Sequence, residues 1–267
     1  MSDQELLESM IDAAVDAGRA VQRIYQRGFT ISTKADASPV TDADHESEAI
    51  ILGWLARCSG ATPVVAEEQV AAGGVPACGE EFFLVDPLDG TKEFIARRGE
   101  FTVNVALVRR GLPALGVVHA PASGQLFAGN VEARSAFRML SSADGHGPAS
   151  RESIHVRAVP RAGITAVASR SHPSRETEAY LARYAVAERI SIGSSLKFCL
   201  VAEGKADLYP RLGTTMEWDT AAGHAVVLAA GGSVVAPDGQ PLRYGKPHYR
   251  NSWFVASGTL VPQRIEG

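Results

Sequence analysis

The sequence predicts a mixed α/β (α+β) protein built in layers, and three observations carry that reading. The first 28 residues hold one helical pattern of apolar positions. After Phe101, four apolar runs are separated by turn signals. Beyond residue 160, short apolar runs alternate with helical patterns. A chain of 267 residues, 45% hydrophobic and 21% charged, is long enough to bury the core of one large domain or two small ones.

Taken in order, Leu6, Leu7, Met10, Ile11, Ala14, Ala17, Val21, Ile24 and Tyr25 share one face of a helix over 3–28 that ends near Gly28. Gly18 inside it lowers helix propensity without breaking the pattern. A short Thr/Ser-containing segment leads to Val40-Thr41-Asp42-Ala43-Asp44, where a second helix starts with Ile50, Ile51, Trp54 and Leu55 as its apolar stripe. Asp42 and Asp44 lie near its N-terminus, and Asp42 is the better candidate for the N-cap. Residues 62–66 read as a strand running into Glu67-Glu68, a pair that at a strand end ordinarily faces solvent. Residues 69–80, rich in Gly and Ala, read as a mobile loop.

Phe82–Val85 is a buried strand that the sequence stops at Asp86-Pro87, because proline cannot donate to a ladder. Asp89, Gly90, Thr91 and a possible helical turn follow. The runs 102–108, 114–120, 125–129 and 133–140 predict an antiparallel sheet. Segment 141–152 is the most linker-like stretch, and it divides the chain into sub-domains 1–150 and 151–267. In the second, strands fall at 165–168, 189–192, 207–209, 233–235 and 253–255, with helices at 174–187, 194–202 and 219–230.

Composition excludes several functions. A net charge of −4 with no basic run gives no nucleic-acid surface. Cys58, Cys78 and Cys199 are too few and scattered for a disulfide framework or a zinc site. No apolar run approaches the ~20 residues of a membrane span. The polar, acidic N-terminus is no signal peptide, so a cytoplasmic protein is expected.

The chemistry lies in the acids. Asp44 falls in a helix first turn, Glu67 after a strand, Asp86 and Asp89 around a turn, and Asp219 at a helix start, the places where a layered α/β fold forms its ligand crevice. Each alone is compatible with an ordinary turn or cap. Gathered together, an all-oxygen set selects Mg²⁺, with Mn²⁺ as a substitute, over zinc. The amides of Gly90 and Thr91 could then face an anion.

Four segments, Val40–Asp44, Glu67-Glu68, Asp86-Pro87-Leu88-Asp89-Gly90-Thr91 and Trp218-Asp219-Thr220-Ala221-Ala222-Gly223, resemble in order and separation the signatures of the inositol monophosphatase superfamily of Mg²⁺-dependent, lithium-sensitive phosphatases. Lys92-Glu93-Phe94, Gly193–Cys199 and Glu203–Arg211 resemble its bacterial bisphosphate nucleotidase branch. The resemblance implies a layered αβαβα sandwich of the inositol monophosphatase and fructose-1,6-bisphosphatase type, with two sub-domains flanking the active site. It implies that Glu67, Asp86 and the Leu88 carbonyl hold one Mg²⁺, that Asp86, Asp89 and Asp219 hold a second, and that a third ion can take part. Asp44 and Thr91 would orient and deprotonate the attacking water, and the Gly90 and Thr91 amides would grip phosphate. Ser194, Lys197 and Arg211 would line the nucleotide side, with His172 near the base. The implied reaction removes the 3′-phosphate of adenosine 3′,5′-bisphosphate, or of its sulfated form. The alternatives are an inositol- or sugar-phosphate phosphatase and, from another class, a non-catalytic phosphonucleotide-binding protein. The partner expected is a small phosphorylated nucleotide. Peripheral association with the inner membrane is compatible with all of these.

Overall fold

A computed structural model describes residues 1–34, 38–141, 150–169 and 174–265. The chain begins with α1 (Asp3–Arg27), capped by a reciprocal Ser2–Glu5 box. A hairpin of β1 (Ile31–Thr33) and β2 (Pro39–Thr41) leads into α2 (Asp42–Cys58). β3 (Val64–Ala66), α3 (Glu67–Ala71), β4 (Glu81–Asp89) and α4 (Thr91–Ile95) follow. The meander is β5 (Thr102–Arg109), β6 (Leu112–Ala120), β7 (Gln125–Asn130), β8 (Ser135–Leu140) and β9 (Glu152–Ser153). The second half runs β10 (Ile164–Ser169), α5 (Arg175–Leu181), β11 (Val186–Ile192), α6 (Leu196–Ala202) and β12 (Leu208–Arg211). It ends with β13 (Thr215–Met216), α7 (Ala221–Ala229), β14 (Ser233–Val235), β15 (Arg250–Asn251) and β16 (Phe254–Ser257).

β3 to β9 form a seven-stranded sheet in sequence order, antiparallel except for the parallel pair β3–β4. The five-stranded sheet has the order β11-β10-β12-β16-β14. α1 and α2 pack on the large sheet, α6 and α7 lie between the two sheets, and α5 packs on β12. This is the αβαβα sandwich. One apolar core joins α1 and α2 to the large sheet, and another fills the space around α6 and α7. α7 can approach closely because β6 offers Gly116, where a Cβ would lie 2.4 Å from the Ala222 carbonyl.

Five expectations require correction. β4 does not stop at Asp86-Pro87 but continues to Asp89, because its pairing shifts between Asp86 and Asp89 and the proline falls in the irregularity, where no ladder N–H is needed. Residues 67–71, expected as a solvent-facing pair and the start of a loop, form α3, and Glu68 is buried against Lys34. The N-cap of α2 is Thr41 rather than Asp42: the Thr41 hydroxyl accepts from Ala43 N, and Asp44 answers the Thr41 amide. The helix expected over 174–187 ends at Leu181, because Val186 already pairs with Ile164 in the sheet. The helices expected from Ser194 and Asp219 start at Leu196 and Ala221, so both residues lie in the preceding turns. Most of the linker-like segment, residues 142–149, lies outside the described residues.

Candidate active site

The acids are brought together by strand register. β3 runs parallel to β4 with Ala66 beside Val85, so Glu67, the next residue, abuts Asp86. Asp86 is fixed by its own turn, where its Oδ1 accepts Leu88 N at 3.0 Å, and Ser47 Oγ donates to the Pro87 carbonyl at 2.7 Å. Asp219 stands before α7 and accepts the Met216 amide at 2.8 Å. Ligand oxygens of Glu67, Asp86 and Asp219 lie within 4.8 Å of one another. Asp89 lines the same cleft and receives the Ser195 amide at 2.5 Å.

Burial, followed by neighbouring carboxylates, holds the Asp86 and Asp219 carboxyls well above the usual range. Burial pushes Asp89 up to about 6, and the Lys197 charge opposes that rise. Acids this close together in a partly buried cleft cannot all ionise cheaply without a cation. The donor set therefore fits a divalent metal, and its oxygens are those a hard cation prefers.

Beside the acids, Thr91 opens α4 after Gly90, whose φ of 92° suits glycine and turns the chain sharply. The Thr91 hydroxyl stands 3.3 Å from Asp44 Oδ1 and 3.1 Å from the Leu88 carbonyl, two acceptors that share its single proton. Asp44 Oδ2 accepts the Thr41 amide and hydroxyl, each at 2.7 Å. Burial raises the Asp44 pKa, and the Thr41 bonds only partly offset it.

The opposite wall comes from the second half of the chain. Ser194 adopts φ 51°, a left-handed turn just ahead of α6. Lys197 is buried, its ammonium donates to the Ser194 carbonyl, and it stands 5.5 Å from the Tyr209 ring centroid. Burial lowers its pKa to about 8 against the pull of Asp89. Arg211 donates to the Thr214 carbonyl at 3.2 Å, and its buried Nε has no hydrogen-bond partner among the described residues. Ser194, Lys197 and Arg211 share with Glu67, Asp89, Gly90, Thr91 and Asp219 a cleft of about 210 Å³. His172 lies outside the described residues.

Sequence reading missed three contributors. Lys34 bridges Glu67 and Glu68 at 2.6 Å each, and nothing about a lone lysine 33 residues upstream announces that. Glu48, pushed up to about 7 by burial, accepts the Glu68 amide at 2.8 Å and steadies α3. Ser195 supplies the amide on Asp89, inside a motif quoted for its neighbours. The buried Glu48 was the detectable one, since it interrupts the inner face of α2.

A sheet-layered phosphatase fold with acids collected at strand ends and helix starts defines a class, and the chain belongs to the inositol monophosphatase family, whose pattern it matches over residues 2–262. The family is metal-dependent. The chain is 44% identical over 245 residues to the 3′(2′),5′-bisphosphate nucleotidase CysQ of Escherichia coli (strain K12), covering 90% of this chain and 94% of that protein. CysQ of Buchnera aphidicola is 38% identical over 262 residues, covering 95% and 94%. The crystal structure of CysQ from Bacteroides thetaiotaomicron superposes with a TM-score of 0.81 at 40% identity, covering 97% and 99%. An inositol monophosphatase from Anabaena (Nostoc) gives 0.72 at 27% identity, covering 96% and 92%. No described helix is long and apolar enough to cross a membrane.

Proposed function

We propose that this protein is a Mg²⁺-dependent phosphatase that removes the 3′-phosphate of adenosine 3′,5′-bisphosphate, giving AMP and phosphate. Its sulfated form, 3′-phosphoadenylyl sulfate, carries the same ester and is a second substrate on this reading. The observation that carries the proposal is one cleft with acids on one wall and two cations, Lys197 and Arg211, on the other. A monophosphate needs only the first wall. A second phosphate gives the cations a purpose, and Arg211 has a buried donor left to offer. The identity with named bisphosphate nucleotidases supports the same choice.

Glu67, Asp86, the Leu88 carbonyl, Asp89 and Asp219 would hold the metal ions. Bound Mg²⁺ supplies charge neutralisation and lowers the pKa of water. Thr91 then has a lone pair for that water, because its own proton is given to Asp44 or Leu88. Asp44, with its raised pKa, is suited to take up the proton that Thr91 relays. The Gly90 and Thr91 amides would hold phosphate oxygens, and Ser194 would add a donor beside Lys197. Positioning and charge carry the catalysis, as phosphoryl transfer allows.

The 27% identical inositol monophosphatase favours a second reading, a phosphatase for inositol phosphates built on the same acid wall. Phosphate release from adenosine 3′,5′-bisphosphate, 3′-phosphoadenylyl sulfate, inositol 1-phosphate and fructose 1,6-bisphosphate separates the two. The nucleotide should lead in kcat/KM by at least ~10-fold, the difference made by ~1.4 kcal/mol of pocket contacts. Preference for inositol 1-phosphate overturns the first reading.

A further inference from the structure

Asp86 stands opposite Asn104, and Asp89 opposite Thr102, in the β4–β5 ladder. Those two cross-strand partners carry polar side chains in a fully buried stretch where Val103 and Val105 flank them. Both meet one residue from the other half of the chain. Ser195 Oγ donates to Asn104 Oδ1 at 2.7 Å and lies 2.8 Å from Thr102 Oγ1, so Thr102 must be the donor to it. The backbone amide of Ser195 then donates to Asp89 Oδ2. A ring closes: the ladder sets Thr102 beside Asp89, Thr102 and Asn104 hold the Ser195 hydroxyl, and Ser195 N returns to Asp89. Asn104 Nδ2 is buried without a partner among the described residues, so the fold keeps a costly polar group there.

We propose that Ser195 is a positioning residue for Asp89: its hydroxyl, anchored on Thr102 and Asn104, fixes the amide that aims the Asp89 carboxylate into the metal site. The inference rests on the metal reading above. Removing the hydroxyl leaves the amide and every ligand in the chain but frees the turn that carries them. Partners that orient a ligating carboxylate typically change metal affinity 10–100-fold.

Calorimetric titration of Mg²⁺ into wild-type protein, Ser195→Ala and Asn104→Ala tests this, with kcat and KM measured beside it. Each variant should bind Mg²⁺ roughly 10-fold more weakly and lose kcat at saturating nucleotide with KM little changed. The double variant should be no worse than either single one, since both break one ring. Should Ser195→Ala fold poorly, Thr102→Val, nearly isosteric, removes only the donor to Ser195 and should weaken binding in the same direction. Wild-type Mg²⁺ affinity in folded Ser195→Ala or Thr102→Val overturns the proposal even if thermal stability falls. A wild-type protein that binds no divalent cation overturns the metal reading of the site, and this proposal with it.

Discussion

The ammonium of Lys34 lies 2.6 Å from Glu67 and equally close to Glu68, with only 11% of its side chain exposed. It neutralises part of the charge of Glu67 and Glu68, and Asp44 feels its charge as well. Replacing it by methionine leaves buried carboxylates uncompensated, which costs on the order of 3 kcal/mol. Lys34→Met should therefore lower Tm in a chelator by about 5–10 °C, and Mg²⁺ should restore part of the loss. Thermal scans with EDTA and with Mg²⁺ read both values; an equal drop in the two conditions shows that the lysine and the metal do not serve the same acids.

Removing an acid should act in the opposite sense on stability. Asp219 is half-buried among like charges that raise its pKa, so Asp219→Asn relieves repulsion while deleting a candidate ligand. The metal-free variant should melt at or above the wild-type temperature, yet gain little from Mg²⁺. Phosphate release should fall at least ~10³-fold, since the lost charge compensation is worth several kcal/mol. Asp89→Ala should abolish release in the same way with the fold intact. Near-normal turnover in either variant removes that acid from the site.

Much of this arrangement was legible before any coordinates. The acids stood at strand ends and helix starts, and periodicity located the long helix and the meander. What sequence could not supply was register. Nothing local says that Pro87 sits where the β4–β5 pairing shifts, which lets the strand run on to Asp89. Glu67-Glu68 looked like a solvent-facing pair because the partner that buries it, Lys34, is remote in the chain. Ser195 reads as one more polar residue of a turn until Thr102 and Asn104 are brought against it. Short helices were placed a residue or two early because turn residues such as Ser194 and Asp219 have the same composition as first-turn residues.

Gly18 illustrates a local rule reversed by packing. A glycine inside a helix costs about 1 kcal/mol relative to alanine, so Gly18→Ala should stabilise an isolated helix. Here a Cβ would fall 2.2 Å from Nδ1 of His119, the ring nitrogen that stands 2.9 Å from the Ala14 carbonyl. The variant should be destabilised by roughly 2–4 kcal/mol, from overpacking and a disrupted buried hydrogen bond. Urea denaturation measures it, and a gain in stability would show that α1 can shift off β6 at little cost.

Two buried histidines work against the fold in acid. Burial holds His119 down to about 4 and His224 to about 3, against 6.5 when exposed. Their folded pKa values are lowered, so the unfolded chain binds protons that the native chain refuses. Their stabilising effect is complete above pH 6.5 and is lost as pH falls from there toward 4 and 3, each group contributing on the order of 3 kcal/mol. The raised carboxyls of Asp86, Asp89 and Asp219 take up protons in the same window and act the other way, so the readout is a difference. By chemical denaturation, the stability of wild type relative to His224→Gln should fall by about 3 kcal/mol from pH 7 to 4. A difference between the two that stays constant across that window excludes His224 as a neutral core histidine.

Lys197 serves two roles that one pair of substitutions can separate. Its ammonium donates to the Ser194 carbonyl, so it braces the left-handed turn, and it also lines the cleft with Arg211. Lys197→Met keeps the buried stem and removes the charge; Arg211→Lys keeps a charge and removes the planar fork that grips two phosphate oxygens. If the pair recognises a second phosphate, both variants should lose kcat/KM on adenosine 3′,5′-bisphosphate by roughly 10–100-fold, about 1.5–3 kcal/mol for a charged hydrogen bond. Turnover of adenosine 3′-monophosphate, which lacks that group, should change far less for Arg211→Lys. Lys197→Met should fall between these limits, because loosening Ser194 also disturbs the Ser195 amide on Asp89. Equal losses on both nucleotides for Arg211→Lys would remove the second phosphate from this wall, leaving the cations a structural task.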